Sequence, residues 1–148
     1  MPNNIESGKK LNLRMDTKGT IFLTIQVVNG EKNISKQIEF LIDTGFNGYL
    51  QLQKKDVVDL ELVMDSKSKI AVSDGTNEEV GIVKTKIMIL NQTISNFPIY
   101  VTENGMYLLG TMLLKDTGRM LVIDYSNNSF TITDDKKIQT KVHNAIGN

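Results

Sequence analysis

The residues of this chain best suited to chemistry are Asp43, Thr44 and Gly45, which interrupt an otherwise largely apolar stretch from Gln37 to Leu50. A carboxylate at the end of an apolar strand is expensive to desolvate unless a partner or a proton neutralises it. Thr44 sets a hydroxyl beside that carboxylate, and Gly45 and Gly48 let the backbone turn sharply or come close to another chain or a ligand. Ile38, Phe40 and Ile42 recur with a period of two before the triplet, and Tyr49 and Leu50 resume the apolar pattern after it. A strand, a tight turn and a second strand hold one carboxylate rigidly at a surface. An ordinary connecting turn also uses Asp and Gly, but such turns are usually polar on both sides, and this one runs straight into Phe46.

On these residues the stretch resembles the catalytic loop of the retropepsin-like aspartic proteases, an apolar strand ending in Asp-Thr-Gly. With Phe46 next, it is most similar to the prokaryotic single-domain branch that carries Asp-Thr-Gly-Phe. A hairpin over residues 70–83 is flap-like, and Leu108-Leu109-Gly110 matches the apolar-apolar-Gly segment that lies behind the catalytic loop in that family. The resemblance covers about residues 20–133. It implies a mostly β fold, one lobe of the acid protease fold closed as a barrel, and an aspartic endopeptidase. In such an enzyme one carboxylate acts as base for a water while a partner carboxylic acid protonates the carbonyl oxygen. Two close carboxylates share a proton and titrate as a pair. With one usable triplet per chain, a twofold homodimer supplies the second Asp43. The resemblance also implies that Thr44 locks the two loops across the axis and that Gly45, Phe46, Asn47 and Gly48 line the cleft for a peptide or protein substrate. Asp74, Gly75 and Thr76, at the hairpin tip, would fold over that substrate and exclude water. The viral members carry acidic residues soon after the glycine, where this chain has Phe46, Asn47 and Gly48. Two alternatives are a protease-like β domain that binds peptides or dimerises a partner without cleaving, and a purely structural barrel.

The elements that must position these residues follow from periodicity and turn chemistry. Residues 20–29 read as a strand with Ile21, Leu23, Ile25 and Val27 on one face, and the turn at Asn29-Gly30 returns the chain into the Asp43 strand. A short helix is expected near 53–60, burying Val57, Leu60 and, less well, Val58, with its charged residues solvated. Asp74-Gly75 signals a hairpin tip. Asn91-Gln92 turns the chain into Thr93–Thr102, where Pro98 implies an edge or irregular strand. A buried strand then passes into a second short helix near 111–116, with Gly110 placed where no side chain fits. Arg119–Tyr125 and Ser129–Thr133 form a last hairpin. Asp116-Thr117-Gly118 repeats the tripeptide, but Lys115 precedes it and Arg119 follows, so it reads as a helix-ending turn. The interval between the two triplets is also too short for a two-lobed protease.

Composition bounds the rest. The 148 residues suit a single domain, 1–148, with polar termini, residues 1–10 being expected to be mobile. Seventeen basic and seventeen acidic residues cancel, which leaves no global field favouring nucleic acid or an anionic membrane. The absence of cysteine excludes disulfides, thiol nucleophiles and thiolate metal sites, and no metal or cofactor is expected. No apolar stretch approaches the roughly 20 residues that cross a bilayer, and no apolar run near Met1 suits a signal peptide, so a cytoplasmic location is expected. His143, the single histidine, lies in a polar tail and is assigned no role.

Overall fold

The computed structural model describes residues 5–6, 9–10, 13–71, 74–89, 92–127 and 129–133. Outside them fall His143 and the rest of the tail, Val72 and Ser73 near the hairpin tip, and Asn91 of the expected turn. In chain order the strands are β1 (Ile5–Glu6), β2 (Lys9–Lys10), β3 (Leu13–Met15), β4 (Ile21–Asn29), β5 (Ile34–Ile42), β6 (Leu50–Gln53), β7 (Ser66–Ala71), β8 (Asn77–Ile89), β9 (Gln92–Thr102), β10 (Leu108–Leu109), β11 (Met120–Asp124) and β12 (Ser129–Thr133). Helix α1 (Lys54–Asp59) follows β6, and α2 (Thr111–Asp116) follows β10.

Side chains alternate across a strand, and β4 obeys this along its length: Ile21, Leu23, Ile25 and Val27 are buried while the residues between them are half-exposed. Eight strands form one sheet in the order β3-β4-β5-β10-β6-β9-β8-β7. A further pairing of Gln26–Val28 in β4 with Lys86–Met88 in β8 closes six of them, β4, β5, β10, β6, β9 and β8, into a barrel. Closure removes the open edges of those strands. The core inside includes Phe40, Leu50, Leu52, Ile87, Ile99 and Leu109, each at most 0 % exposed. A fully buried side chain of this size contributes about 1.5–3 kcal/mol.

Two local results differ from the sequence expectation, and the irregularity expected at Pro98 is seen. The first described strands are paired: β1 lies antiparallel to β2, and β3 adds to β4 with Leu13 buried in the core. Pro98 lies in a strand with neighbours on both sides, yet β9 pairs with β6 only from Ile99 onward. Pro98 itself is paired on one side only, with Lys84 of β8. A register shift between Thr85 and Ile87 and the left-handed Asn96 (φ 62°) bend the same part of the ladder. In α1, Val57 and Leu60 are buried and Val58 is exposed, but the charged face is not all solvated, because Asp56 is buried completely. Three contacts offset that cost: Lys36 Nζ donates to Asp56 Oδ1 (2.6 Å), the Tyr107 hydroxyl to Oδ2 (2.6 Å) and the Gln53 backbone N–H to Oδ2 (3.3 Å).

Candidate active site

Strand β5 carries the chain to Asp43, and the ladder continues one step past its end. Leu41 pairs with Leu108 and Ile42 with Leu109 in β10, and the Asp43 N–H donates to the Leu109 carbonyl at 3.0 Å. The chain then turns. The Gly45 N–H donates to Asp43 Oδ1 (2.9 Å) and the Phe46 N–H to the Asp43 carbonyl (3.1 Å), so the loop orients its own carboxylate. Behind it, Gly110 N–H donates to the Tyr49 carbonyl (2.8 Å) and Thr111 N–H to the Phe46 carbonyl (3.2 Å). This approach leaves no room for a side chain at position 110, where a Cβ would collide with the carbonyl oxygens of Gly48 and Phe46, the latter at 2.6 Å. The expected close fit of Leu108-Leu109-Gly110 behind the loop is what the backbone shows.

Alternation also decides which way Asp43 faces. Phe40 is buried and Ile42 packs on the core, so Leu41 and Asp43 share the outward face. From Leu41 the cross-strand partners run Phe22, Leu41, Leu108, Gln51, Tyr100, Ile82 around the barrel. Apart from the buried Gln51 these are half-buried apolar or aromatic residues directed away from the core. The Phe46 ring packs on Tyr100 with centroids 5.8 Å apart. One carboxylate thus stands beside an outward-facing apolar wall.

Among the residues singled out from sequence, Asp43 is half-exposed, and Thr44, Gly45 and Asn47 are exposed at the loop's outer side. Phe46 is half-buried, and Gly48 is buried beneath the Phe46 ring. Asp74, Gly75 and Thr76 form the exposed tip of the β7–β8 hairpin, which extends beyond Gly81, where pairing of β8 with β9 begins. There Asp74 Oδ1 accepts from the Thr76 hydroxyl (2.6 Å) and N–H (2.9 Å), which holds its carboxyl below the usual value. Among the described residues no group of three or more His, Cys, Asp or Glu side chains comes together as a metal site requires.

The outward residues Phe22, Leu41, Ile82, Tyr100 and Leu108 were not anticipated. The signal for them is in the sequence: Phe40-Leu41-Ile42 and Ile99-Tyr100-Val101 are apolar on both parities, which a half-buried strand has no need to be. A supporting network was also missed. Tyr107 accepts the Leu41 N–H on its carbonyl (2.9 Å), sets its ring edge-on to Phe40 (6.0 Å), and donates its hydroxyl to Asp56. Burial, together with the Asp56 carboxylate, pushes the Tyr107 phenol up to about 12.

Solved structures similar to this chain in fold include two proteases. EIAV protease complexed with the inhibitor HBY-793 superposes with a TM-score of 0.56 at 18% identity, covering 74% of this chain and 99% of its own. A retropepsin-like aspartic protease from Rickettsia conorii does so with a TM-score of 0.52 at 18% identity, covering 78% of this chain and 88% of its own. The fold is retropepsin-like. Neither a protein-family profile nor a curated protein matches the sequence. The retropepsin-like fold is therefore seen in structure where sequence similarity is low. No helix among the described residues is long and apolar enough to cross a membrane.

Proposed function

We propose that this chain is an aspartic endopeptidase that works as a homodimer, with Asp43 from each of two chains forming the catalytic pair. The observation that carries the reading is the placement of Asp43: a backbone-fixed carboxylate on the outward face of β5, in line with Leu41 and the apolar row beyond it. A carboxylate held there has a surface on which to lay an extended apolar peptide, and one carboxylate per chain calls for a second from a partner.

In that dimer one Asp43 is ionised and takes a proton from water, while the other is protonated and donates to the scissile carbonyl oxygen as the water adds. Thr44, which is exposed, bonds across the axis in this reading. The backbone at Gly45 and the side chains of Phe46 and Asn47 border the cleft, and Gly48 contributes through its backbone. The hairpin tip at Asp74, Gly75 and Thr76 closes over bound peptide and excludes water.

The test is cleavage of a peptide library rich in apolar residues by the parent and by Asp43→Asn. The parent is expected to cleave with a bell-shaped dependence on pH on the acid side, because one carboxyl of the pair must be protonated and the other ionised. Equal cleavage by Asp43→Asn would contradict the proposal and leave a peptide-binding β domain as the reading.

A further inference from the structure

The second Asp-Thr-Gly is not idle. Its aspartate, Asp116, is the last residue of α2, and its Oδ2 accepts a hydrogen bond from the Tyr49 hydroxyl. Tyr49 follows directly on the Asp43 loop. Its carbonyl accepts from Gly110 N–H (2.8 Å), just before α2, and its ring leans on Phe97 with centroids 5.6 Å apart. At the other end of the loop, the Phe46 carbonyl accepts from Thr111 N–H (3.2 Å), the first residue of α2. The segment 46–49 is therefore stitched to both ends of one helix, by backbone at its start and by a side chain at its end.

A carboxylate at the C-terminal end of a helix faces the negative end of the backbone dipoles and is disfavoured there. The Tyr49–Asp116 bond also lies where water can serve both partners, so it adds little to global stability. What it fixes is the distance from α2 to the residue that ends the Asp43 loop.

We propose that Asp116 is a positioning residue for the Asp43 loop, acting through the Tyr49 hydroxyl. Its effect on the loop is independent of any reaction, whereas its effect on catalysis rests on the endopeptidase reading. The bond holds the Tyr49 phenol above its ordinary value, chiefly through Asp116, which gives the pair a spectroscopic signature.

The experiment compares Tyr49→Phe, Asp116→Ala and Asp116→Asn by amide exchange at Gly45 and Phe46, with Ile25 and Phe40 as core references. Tyrosine absorbance titration and peptide cleavage accompany it. In Tyr49→Phe and Asp116→Ala, exchange at Gly45 and Phe46 is expected to rise about tenfold, as loss of one hydrogen bond to a charged group would allow. Rates at Ile25 and Phe40 stay as in the parent. One tyrosine of Asp116→Ala titrates nearer its ordinary value, and kcat falls with KM little changed. Asp116→Asn, whose amide oxygen still accepts, restores the exchange rates. Unchanged rates at Gly45 and Phe46, or an equal rise at the core references, would overturn the proposal. A parent that cleaves no peptide would count against the endopeptidase reading alone, because the exchange rates would still decide the positioning role.

Discussion

Two copies of Asp-Thr-Gly lie in this chain, and they fold in opposite ways. At Asp43 the triplet leaves an apolar strand, keeps one more ladder bond to Leu109, and turns so that Gly45 N–H reaches back to its own carboxylate. At Asp116 the same residues finish a helix. Gly118 takes the left-handed conformation (φ 67°), its N–H donates to the Lys115 carbonyl (3.1 Å), and Arg119 N–H donates to the Leu114 carbonyl (2.8 Å). That pair of bonds is a Schellman cap, and the Thr117 hydroxyl adds a bond to the Leu113 carbonyl (2.7 Å). The tripeptide carries no conformation of its own. The strand before Asp43 and the helix before Asp116 decide what each copy does, and the second copy ends up bracing the first through Tyr49.

Substitutions can break that comparison, and the largest effect falls on the carboxylates. Asp43→Asn keeps the size of the side chain and removes its acid and base functions, so peptide cleavage is expected to fall roughly a thousandfold with the fold intact. Asp116→Asn still accepts from Tyr49 and is expected to cost about threefold or less. Assays of the two variants side by side check this, and equal losses would erase the distinction between the copies.

The glycines sharpen it next. Gly110→Ala drives a methyl into the Gly48 and Phe46 carbonyls behind the first copy, and overpacking against backbone is expected to cost about 3 kcal/mol in denaturant unfolding. Gly118→Ala meets nothing within 4 Å and is expected to cost only the left-handed backbone penalty of about 1 kcal/mol. The reverse order would mean that the second copy is the tightly fitted one.

A smaller effect concerns the support behind β5. Tyr107 is raised from an ordinary 10.0 to about 12 in the folded protein, so the unfolded chain loses this proton first as pH rises. Its contribution is therefore complete below about pH 10 and is lost between there and about pH 12. Unfolding curves of Tyr107→Phe should be flatter than the parent's across that window, and identical slopes would rule out the contribution. Smallest of all, exchange at Gly75 and Thr76 should slow a few-fold when a peptide-like inhibitor binds, which amide exchange with and without the inhibitor measures.

Much of this architecture was legible in the sequence because it rests on period-two patterns. Ile21 to Val27 and Ile38 to Phe40 declare their faces, and the apolar-apolar-Gly run before α2 declares a close approach. What escaped depends on side chains meeting across long separations. Asp56 looked like one more solvated charge on a short helix until Lys36 and Tyr107 arrived from other elements to neutralise it. Leu13 sits in the short alternating run Leu11-Asn12-Leu13-Arg14-Met15, and its pairing with Leu23 brings it into the core. Tyr49 and Asp116 are 67 residues apart, and nothing local marks either as a partner of the other. The outward row from Phe22 to Ile82 was readable in principle, since strands apolar on both parities need a second surface to explain them.

The most direct test of a pair of Asp43 residues shared between chains is subunit mixing. A fixed amount of parent is refolded with a tenfold excess of the Asp43→Asn chain, and peptide cleavage is measured. If the two carboxylates come from different chains, most parent chains acquire an inert partner and cleavage falls to about a tenth. Cleavage that stays at the level of the parent alone would show that each chain works by itself, and would contradict the account.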